Sequence, residues 1–258
     1  MKWNSEFLNK LCDPVSGEDL IIEESNLLKP NETKTSYPIK NRVAILLVKE
    51  PDSKADFDYA EHYERDAEVF DYANEYNDPV ENSEIRRLRQ RILSQVSPED
   101  EWVLDVGCGG GWLAESLITK NKKVISMDIS FTNPKKAIEN TPSENHFAVV
   151  ADVFNLPFKK NSFDCIVASE IIEHVINPQI FITNLINVLK PGGKLIITTP
   201  YNEKIKYSLC IHCNKLTPHN AHLHSFTEQS IKKLISVKTA YIHTTVFNSK
   251  LLTQLRMT

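Results

Sequence analysis

The run Val103-Leu-Asp-Val-Gly-Cys-Gly-Gly-Gly-Trp112 constrains this chain more than any other stretch. An apolar, strand-like segment enters it and the helical stripe Leu113, Ala114, Leu117 and Ile118 leaves it, with Gly107, Gly109 and Gly111 alternating behind Asp105 between them. A strand that turns into a helix through bare backbone lets main-chain atoms approach a ligand with no Cβ in the way. The unit does not stand alone. Apolar runs at Trp102–Val106, Lys123–Met127, Phe147–Ala151, Phe163–Ala168 and Lys194–Thr199 alternate with helical periodicities. The clearest of these is Phe181, Ile182, Leu185, Ile186 and Leu189, opened by Asn177-Pro178 and stopped at Pro191-Gly192-Gly193. Such alternation predicts an α/β chain with a mainly parallel sheet and helices on both faces. A small β-rich N-terminal module precedes it, and Tyr241–Phe247 reads as a sixth strand.

The glycine spacing excludes one common ligand. A nicotinamide dinucleotide wants G-x-G-x-x-G, and counted from Gly107 the third glycine would fall at Trp112. The pattern present, D-x-G-x-G-x-G, resembles the first motif of the class I S-adenosylmethionine-dependent methyltransferases, whose fold is Rossmann-like. The likeness runs over about residues 100 to 246. Asp128 stands nineteen residues after Gly109, and Asp152-Val-Phe-Asn-Leu-Pro-Phe-Lys-Lys-Asn-Ser-Phe-Asp164 is similar to the family's D-x-x-x-L-P-F-x-x-x-x-F-D signature. The resemblance implies S-adenosyl-L-methionine as cofactor. It implies Asp105, Gly107, Cys108, Gly109 and Gly111 around the methionine part, Asp128 and Ile129 at the ribose, Asp152 and Val153 at the adenine, and Glu170 near the sulfonium. A zwitterion that also carries a sulfonium wants carboxylates and carbonyl dipoles rather than phosphate-binding amides.

After the fourth strand comes Ser169-Glu170-Ile-Ile-Glu173-His174-Val175, similar to a run in the ubiquinone-biosynthesis type of O-methyltransferase. On a helical turn Glu170, Glu173 and His174 fall at i, i+3 and i+4 and would share one side, which makes them the candidate catalytic residues. Three roles stay open. His174 would serve as general base, its unperturbed pKa lying near 6.5; or the three would bind a divalent cation that acidifies a substrate hydroxyl; or they would only shape the pocket. An Asn-Pro-Pro-Tyr type motif is absent, which argues against exocyclic amines of DNA as acceptors.

Two further segments invite a metal reading. Cys210-Ile-His-Cys213, followed by His219, His222 and His224, supplies zinc-ligand types, with Cys210, Cys213, His219 and His222 as the candidate set. Unliganded polar loop residues, or contact of His222 or His224 with substrate, are the alternatives. Leu11-Cys-Asp-Pro-Val-Ser-Gly-Glu-Asp-Leu20, with Tyr37–Leu46, resembles a zinc-ribbon module that activates or is fused to several methyltransferases. Only Cys12 of its ligands is kept, so the module is expected to fold without metal and to act as a packing or gating domain in cis; an unrelated hairpin is the other reading.

The expected organisation is a degenerate zinc-ribbon-like module at 1–49, a helical linker and cofactor cover at 50–97, and a methyltransferase domain at 98–258 with an insertion at 201–225. Arg86, Arg87, Arg89 and Arg91 lie on an amphipathic helix of that linker. A net charge of -4 gives no global pull toward nucleic acid, and no apolar run approaches the roughly 18 residues of a membrane span. Five cysteines in a long chain do not read as a disulfide framework, and cytoplasmic residence is the default. Together these imply methyl transfer to oxygen or carbon of a small molecule such as a lipid, quinone or secondary metabolite. An rRNA or tRNA methyltransferase and a non-catalytic scaffold of the same fold are the alternatives, and oligomeric state leaves no signal in the sequence.

Overall fold

The computed structural model describes residues 4–23, 26–31, 35–48, 59–69, 78–209, 216–235 and 241–246. Its N-terminal part holds a short helix α1 (Ser5–Leu8) and strands β1 (Leu20–Glu23), β2 (Leu27–Pro30), β3 (Tyr37–Lys40) and β4 (Val43–Ile45). Helices α2 (Tyr59–Val69) and α3 (Pro79–Leu93) follow. Then come β5 (Trp102–Val106), α4 (Trp112–Ile118), β6 (Lys123–Asp128), α5 (Thr132–Asn140), β7 (His146–Val150), β8 (Phe163–Ser169), α6 (Pro178–Val188) and β9 (Leu189–Thr198). A hairpin of β10 (Tyr207–Leu209) and β11 (Leu216–Pro218) and a final helix α7 (Glu228–Leu234) complete the described elements.

Strands β7, β6, β5, β8 and β9 lie side by side in that order and all pair in parallel, the doubly wound arrangement of a Rossmann-like sheet. Side-chain alternation explains why both faces are covered. Val103, Val124, Cys165 and Val167 pack with Leu113, Ala114 and Leu117 of α4 and Ile92 of α3, while Leu104, Ile125, Val149 and Ile166 face Phe181, Ile182 and Leu185 of α6. The strands are mostly apolar along their buried stretches because neither face meets water.

The N-terminal segment is not a satellite with its own core. β3 and β4 turn tightly through Asn41 and Arg42, both at positive φ, and β4 then pairs in parallel with β7, Ala44 opposite Val149. One nine-stranded sheet results. Phe7, Leu11, Leu28, Tyr37 and Leu46 belong to the same buried cluster as Trp102, Phe147 and Phe158. Backbone bonds tie the segment to the Leu-Pro-Phe stretch: Cys12 N donates to Pro157 O at 3.0 Å and Lys159 N to Lys10 O at 2.9 Å. Two other expectations are adjusted. Leu189 ends no helix but starts β9, pairing with Phe163 across a register irregularity, and residues 241–246 of the expected sixth strand carry no strand, Phe247 lying outside the described residues.

Candidate functional site

The parallel strands end on one edge, and each of four brings a carboxylate there. Asp105 lies in β5 and is 2% exposed. Its Oδ2 is buried without a hydrogen-bond partner, and the charge beside it is another carboxylate, Asp128. Burial first, and Asp128 second, push Asp105 up to about 8. Asp128 closes β6: its Oδ1 accepts from Ser130 N and Oγ, both at 3.0 Å, and its Oδ2 from Asn133 Nδ2 at 3.1 Å. Burial raises it too, against those bonds and the Gly109 amide. Asp152, just after β7, accepts from Phe154 N at 2.9 Å. Ile129 and Val153 sit half-buried beside these two.

The glycine loop takes its shape from β6, since Gly107 N and Cys108 N both donate to Met127 O, at 2.8 and 3.0 Å. Gly107 has φ +70°, and a Cβ there would lie 2.1 Å from Ile171 Cδ1. The loop therefore abuts the turn after β8 with no room for a side chain. Gly109 and Gly111 also hold positive φ, and Gly111 opens α4. Cys108 is buried, which pushes its thiol well above the usual range.

Residues 171–174 form a tight turn, His174 N donating to Ile171 O at 3.0 Å, instead of the helical turn expected. The three candidate catalytic residues accordingly do not share a side. Glu170, at φ 58°, turns back to β9, where Thr198 Oγ1 donates to its Oε1 at 2.8 Å. Glu173 and His174 instead gather with His222, one ligand-type atom from each lying within 4.8 Å of the others. Glu173 is 1% exposed and neither carboxylate oxygen reaches hydrogen-bond geometry. Burial, then the Glu170 charge, raise it to about 8. Burial, then His222, lower His174 to about 4. The His222 ring stands 4.8 Å from that of His174, nearly perpendicular, and its Nδ1 meets Glu203 Oε2 at 2.5 Å. Its segment is pinned from below, as Leu223 N and His224 N donate to Glu173 O at 2.8 and 3.2 Å.

Two contributors were not expected from the sequence. Glu203 has no fixed spacing from His222 that would flag it. Glu64 of α2 accepts from Phe131 N and Thr132 Oγ1, each at 2.5 Å, and so docks α2 over the start of α5; Tyr63 then reaches a perpendicular ring contact with His174 at 6.1 Å. Of the zinc set expected from the sequence, only His222 has a described side chain. Cys210 and Cys213 lie outside the described residues, the His219 side chain is likewise not described, and His222 is engaged by Glu203.

These ionisations fix a pH dependence. Asp105 and Glu173 hold protons in the fold that the unfolded chain releases near pH 4, so their contribution to stability fades as pH rises from about 4 toward 8. His174 stays neutral in the fold down to about pH 4 while the unfolded chain protonates from about 6.5, so its effect has the opposite sign and is confined to the window below 6.5. Without ligand the melting midpoint should therefore fall between pH 6.5 and 8.5, and Asp105→Asn should flatten that fall. Scanning calorimetry checks it. A midpoint that climbs over the interval would contradict the placement of these carboxyls.

Residues 104–197 match the family model described as a methyltransferase domain. The mitochondrial ubiquinone biosynthesis O-methyltransferase of Rattus norvegicus is 37% identical over 115 residues, which is 42% of this chain and 33% of that protein. The ubiquinone biosynthesis O-methyltransferase of Coxiella burnetii (strain Dugway 5J108-111) is 36% identical over 110 residues, 42% of this chain and 47% of its own length. The chain thus spans between a third and a half of the curated relatives it matches. Among solved structures, Haemonchus contortus phosphoethanolamine N-methyltransferase 2 with S-adenosyl-L-methionine is 19% identical, with a TM-score of 0.47 over 57% of this chain and 35% of that one. An S-adenosylmethionine-dependent methyltransferase from Mesorhizobium loti is also 19% identical, with a TM-score of 0.41 over 52% and 62%. Neither likeness adds to what the strand order already shows. No helix among the described residues is long and apolar enough to cross a membrane.

Proposed function

We propose that this chain transfers a methyl group from S-adenosyl-L-methionine to a hydroxyl oxygen of a small molecule, with carbon as the other acceptor atom. The observation that carries the reading is Asp105. A buried carboxylate whose Oδ2 lacks a partner, beside a second, half-buried carboxylate and a glycine-rich loop, is a place short of one positive charge. The cofactor's ammonium and sulfonium meet that shortage, and when bound it supplies a methyl group made electrophilic by the sulfonium. Asp105 and the amides and carbonyls of the loop would hold the methionine part. Asp128 and Ile129 would take the ribose, Asp152 and Val153 the adenine, and Glu170 would line the wall between loop and acceptor. The buried edge keeps water from the reacting atoms, so the protein's work is largely to align them.

Oxygen is favoured by the titratable groups gathered at Glu173, His174 and His222, since a hydroxyl must lose its proton to be methylated. The likeness to ubiquinone biosynthesis O-methyltransferases supports a phenolic or catechol-like acceptor. RNA is not our choice of acceptor: the net charge is -4, and Arg89 lies 5.2 Å over the Trp112 ring while Arg86 and Arg87 also have intrachain partners. Nor do we read a scaffold, because buried carboxylates kept without a cation cost stability that a non-binding fold has no reason to bear.

We read residues 1–49 as a packing module that needs no metal. Asp13 takes over the knuckle, its Oδ1 accepting from Val15 N at 2.7 Å and Ser16 N at 2.8 Å and its Oδ2 from Tyr37 OH at 3.0 Å. Zinc analysis of the purified chain decides whether Cys210 and Cys213 hold a metal.

Calorimetric titration with S-adenosyl-L-methionine tests the cofactor reading. Binding is expected, with a heat that changes between phosphate and Tris at pH 7, because Asp105 passes its proton to the buffer when it meets a cation. Absence of binding would sink the proposal. Formation of S-adenosylhomocysteine with soluble phenols and catechols then tests the acceptor class.

A further inference from the structure

We propose that the hairpin of β10 and β11 is a docking surface by which the chain sits on an anionic lipid bilayer, its apolar face at the headgroups and its lysines against lipid phosphates. This surface stands apart from methyl transfer and needs no cofactor.

The register of the hairpin decides which side chains share a face. Tyr207 lies opposite Pro218, Ser208 opposite Thr217 and Leu209 opposite Leu216. Because side chains alternate along a strand, Tyr207, Leu209, Leu216 and Pro218 fall on one side, with Ser208 and Thr217 on the other. In a soluble ribbon such an apolar side is turned to a core. Here the ribbon is a two-stranded sheet separate from the nine-stranded one, and Tyr207, Leu209 and Leu216 are 60%, 63% and 68% exposed. Its root is held firmly, Tyr201 bridging Phe226 and Asn202 N donating to Phe226 O at 2.7 Å. Tyr201 and Leu223 add exposed apolar surface at that root. A lone two-stranded ribbon is marginal in water, so an apolar face on a tethered one marks a contact surface.

Charge decides the occupant. Lys204 and Lys206, both exposed, lead into β10, and Lys215 precedes β11 in the sequence. From 204 to 227 the chain holds three lysines and no aspartate or glutamate, although its net charge is -4. Leucine and tyrosine bordered by lysine fit the boundary between acyl chains and anionic headgroups: the apolar groups leave water, the phenol hydroxyl stays among the headgroups and each lysine stem carries its ammonium to a phosphate. Two rival occupants fit less well. A second copy across a two-fold axis would bring the basic flanks of both chains together. Nucleic acid would find one aromatic plane on the face, Tyr207, beside leucines and a proline that offer no stacking surface. The same root carries Glu203, in contact with His222 at the acceptor edge, so docking would turn that edge toward an apolar acceptor dissolved in the lipid. That corollary alone rests on the methyl-transfer reading.

The test is flotation of the full chain with phosphatidylcholine vesicles, either neutral or with about a third of the lipid as phosphatidylglycerol. Binding is expected on the anionic vesicles and should weaken in high salt. On neutral vesicles it should be at least about 10-fold weaker, since each lysine near an anionic surface strengthens binding roughly 5-fold. Leu209→Ser combined with Leu216→Ser should lower the anionic partition by about 10-fold or more, and Lys204→Glu combined with Lys206→Glu by a similar factor. Val15→Ser, at a position 71% exposed in the N-terminal segment, should leave it unchanged. All these side chains are exposed, so each variant should melt with the parent, and the lysine pair tests the surface without touching its apolar face. A parent chain that ignores anionic vesicles, or a loss with Val15→Ser as large as with the leucine pair, would overturn the proposal. So would a parent dimer that the leucine pair dissolves without any vesicle binding, or binding of a short single-stranded RNA in place of vesicles. Titration of the same sample with S-adenosyl-L-methionine keeps the two readings apart: vesicle binding without cofactor binding retains the docking surface and defeats methyl transfer, and the converse defeats the surface alone.

Discussion

Asp128→Ala should weaken S-adenosyl-L-methionine binding by about 100-fold, close to 2.7 kcal/mol, while the chain stays folded. In the proposed ribose role, two charge-assisted hydrogen bonds to hydroxyls would account for that much, since each contributes roughly 1.5–3 kcal/mol before the partner's rehydration is counted. Asp128 also receives bonds from Ser130 and Asn133, so the variant should lose about 1 kcal/mol of stability in addition. Titration calorimetry with a melting curve on the same sample separates the two effects. An affinity equal to that of the parent removes the ribose role from Asp128.

Gly107→Ala should be strongly destabilising. Its positive φ costs an L residue about 1–2 kcal/mol, and the new Cβ would stand 2.1 Å from Ile171 Cδ1, adding roughly 1–3 kcal/mol of overpacking. Gly192 gives the control: it has φ +80° with nothing within 4 Å, so Gly192→Ala should show the conformational part alone. Chemical denaturation of both variants, and of Gly107→Ala combined with Ile171→Ala, measures the difference. If the clash is real, the double variant recovers part of the loss and also part of the cofactor affinity, because the loop and the turn after β8 regain their contact. Equal losses at Gly107 and Gly192 would mean that the turn gives way freely.

The parallel strands were legible because a strand buried on both faces writes itself as a local apolar run, and β5 to β8 begin and end within a residue or so of the runs read from the sequence. The glycine loop was legible for a similar reason, since its requirement for bare backbone is met by adjacent positions. What eluded the sequence depends on partners far apart in the chain. Nothing near Val43–Ile45 announces that its neighbour is β7, and nothing near Glu203 announces His222. The motif Glu170-Ile-Ile-Glu173-His174 suggested three side chains on one helical face, but Glu170 adopts φ 58° and bonds Thr198, which sends it to a different wall from Glu173 and His174. Helical spacing is a guide only where the backbone is helical, and here it is a turn.

The pairing of β4 with β7 joins Ala44 to Val149, roughly a hundred residues apart in the chain. During synthesis the β3–β4 hairpin leaves the ribosome long before β7, which will flank it, exists, and it must wait with one side exposed while the intervening elements emerge. Contacts of such separation slow folding, because chain entropy is lost before the contact repays it. A copy cut within the first forty-five residues would leave β7 as an uncovered margin of the sheet, open to strand exchange between molecules. The opening segment thus covers a margin of the parallel sheet as well as forming part of the core.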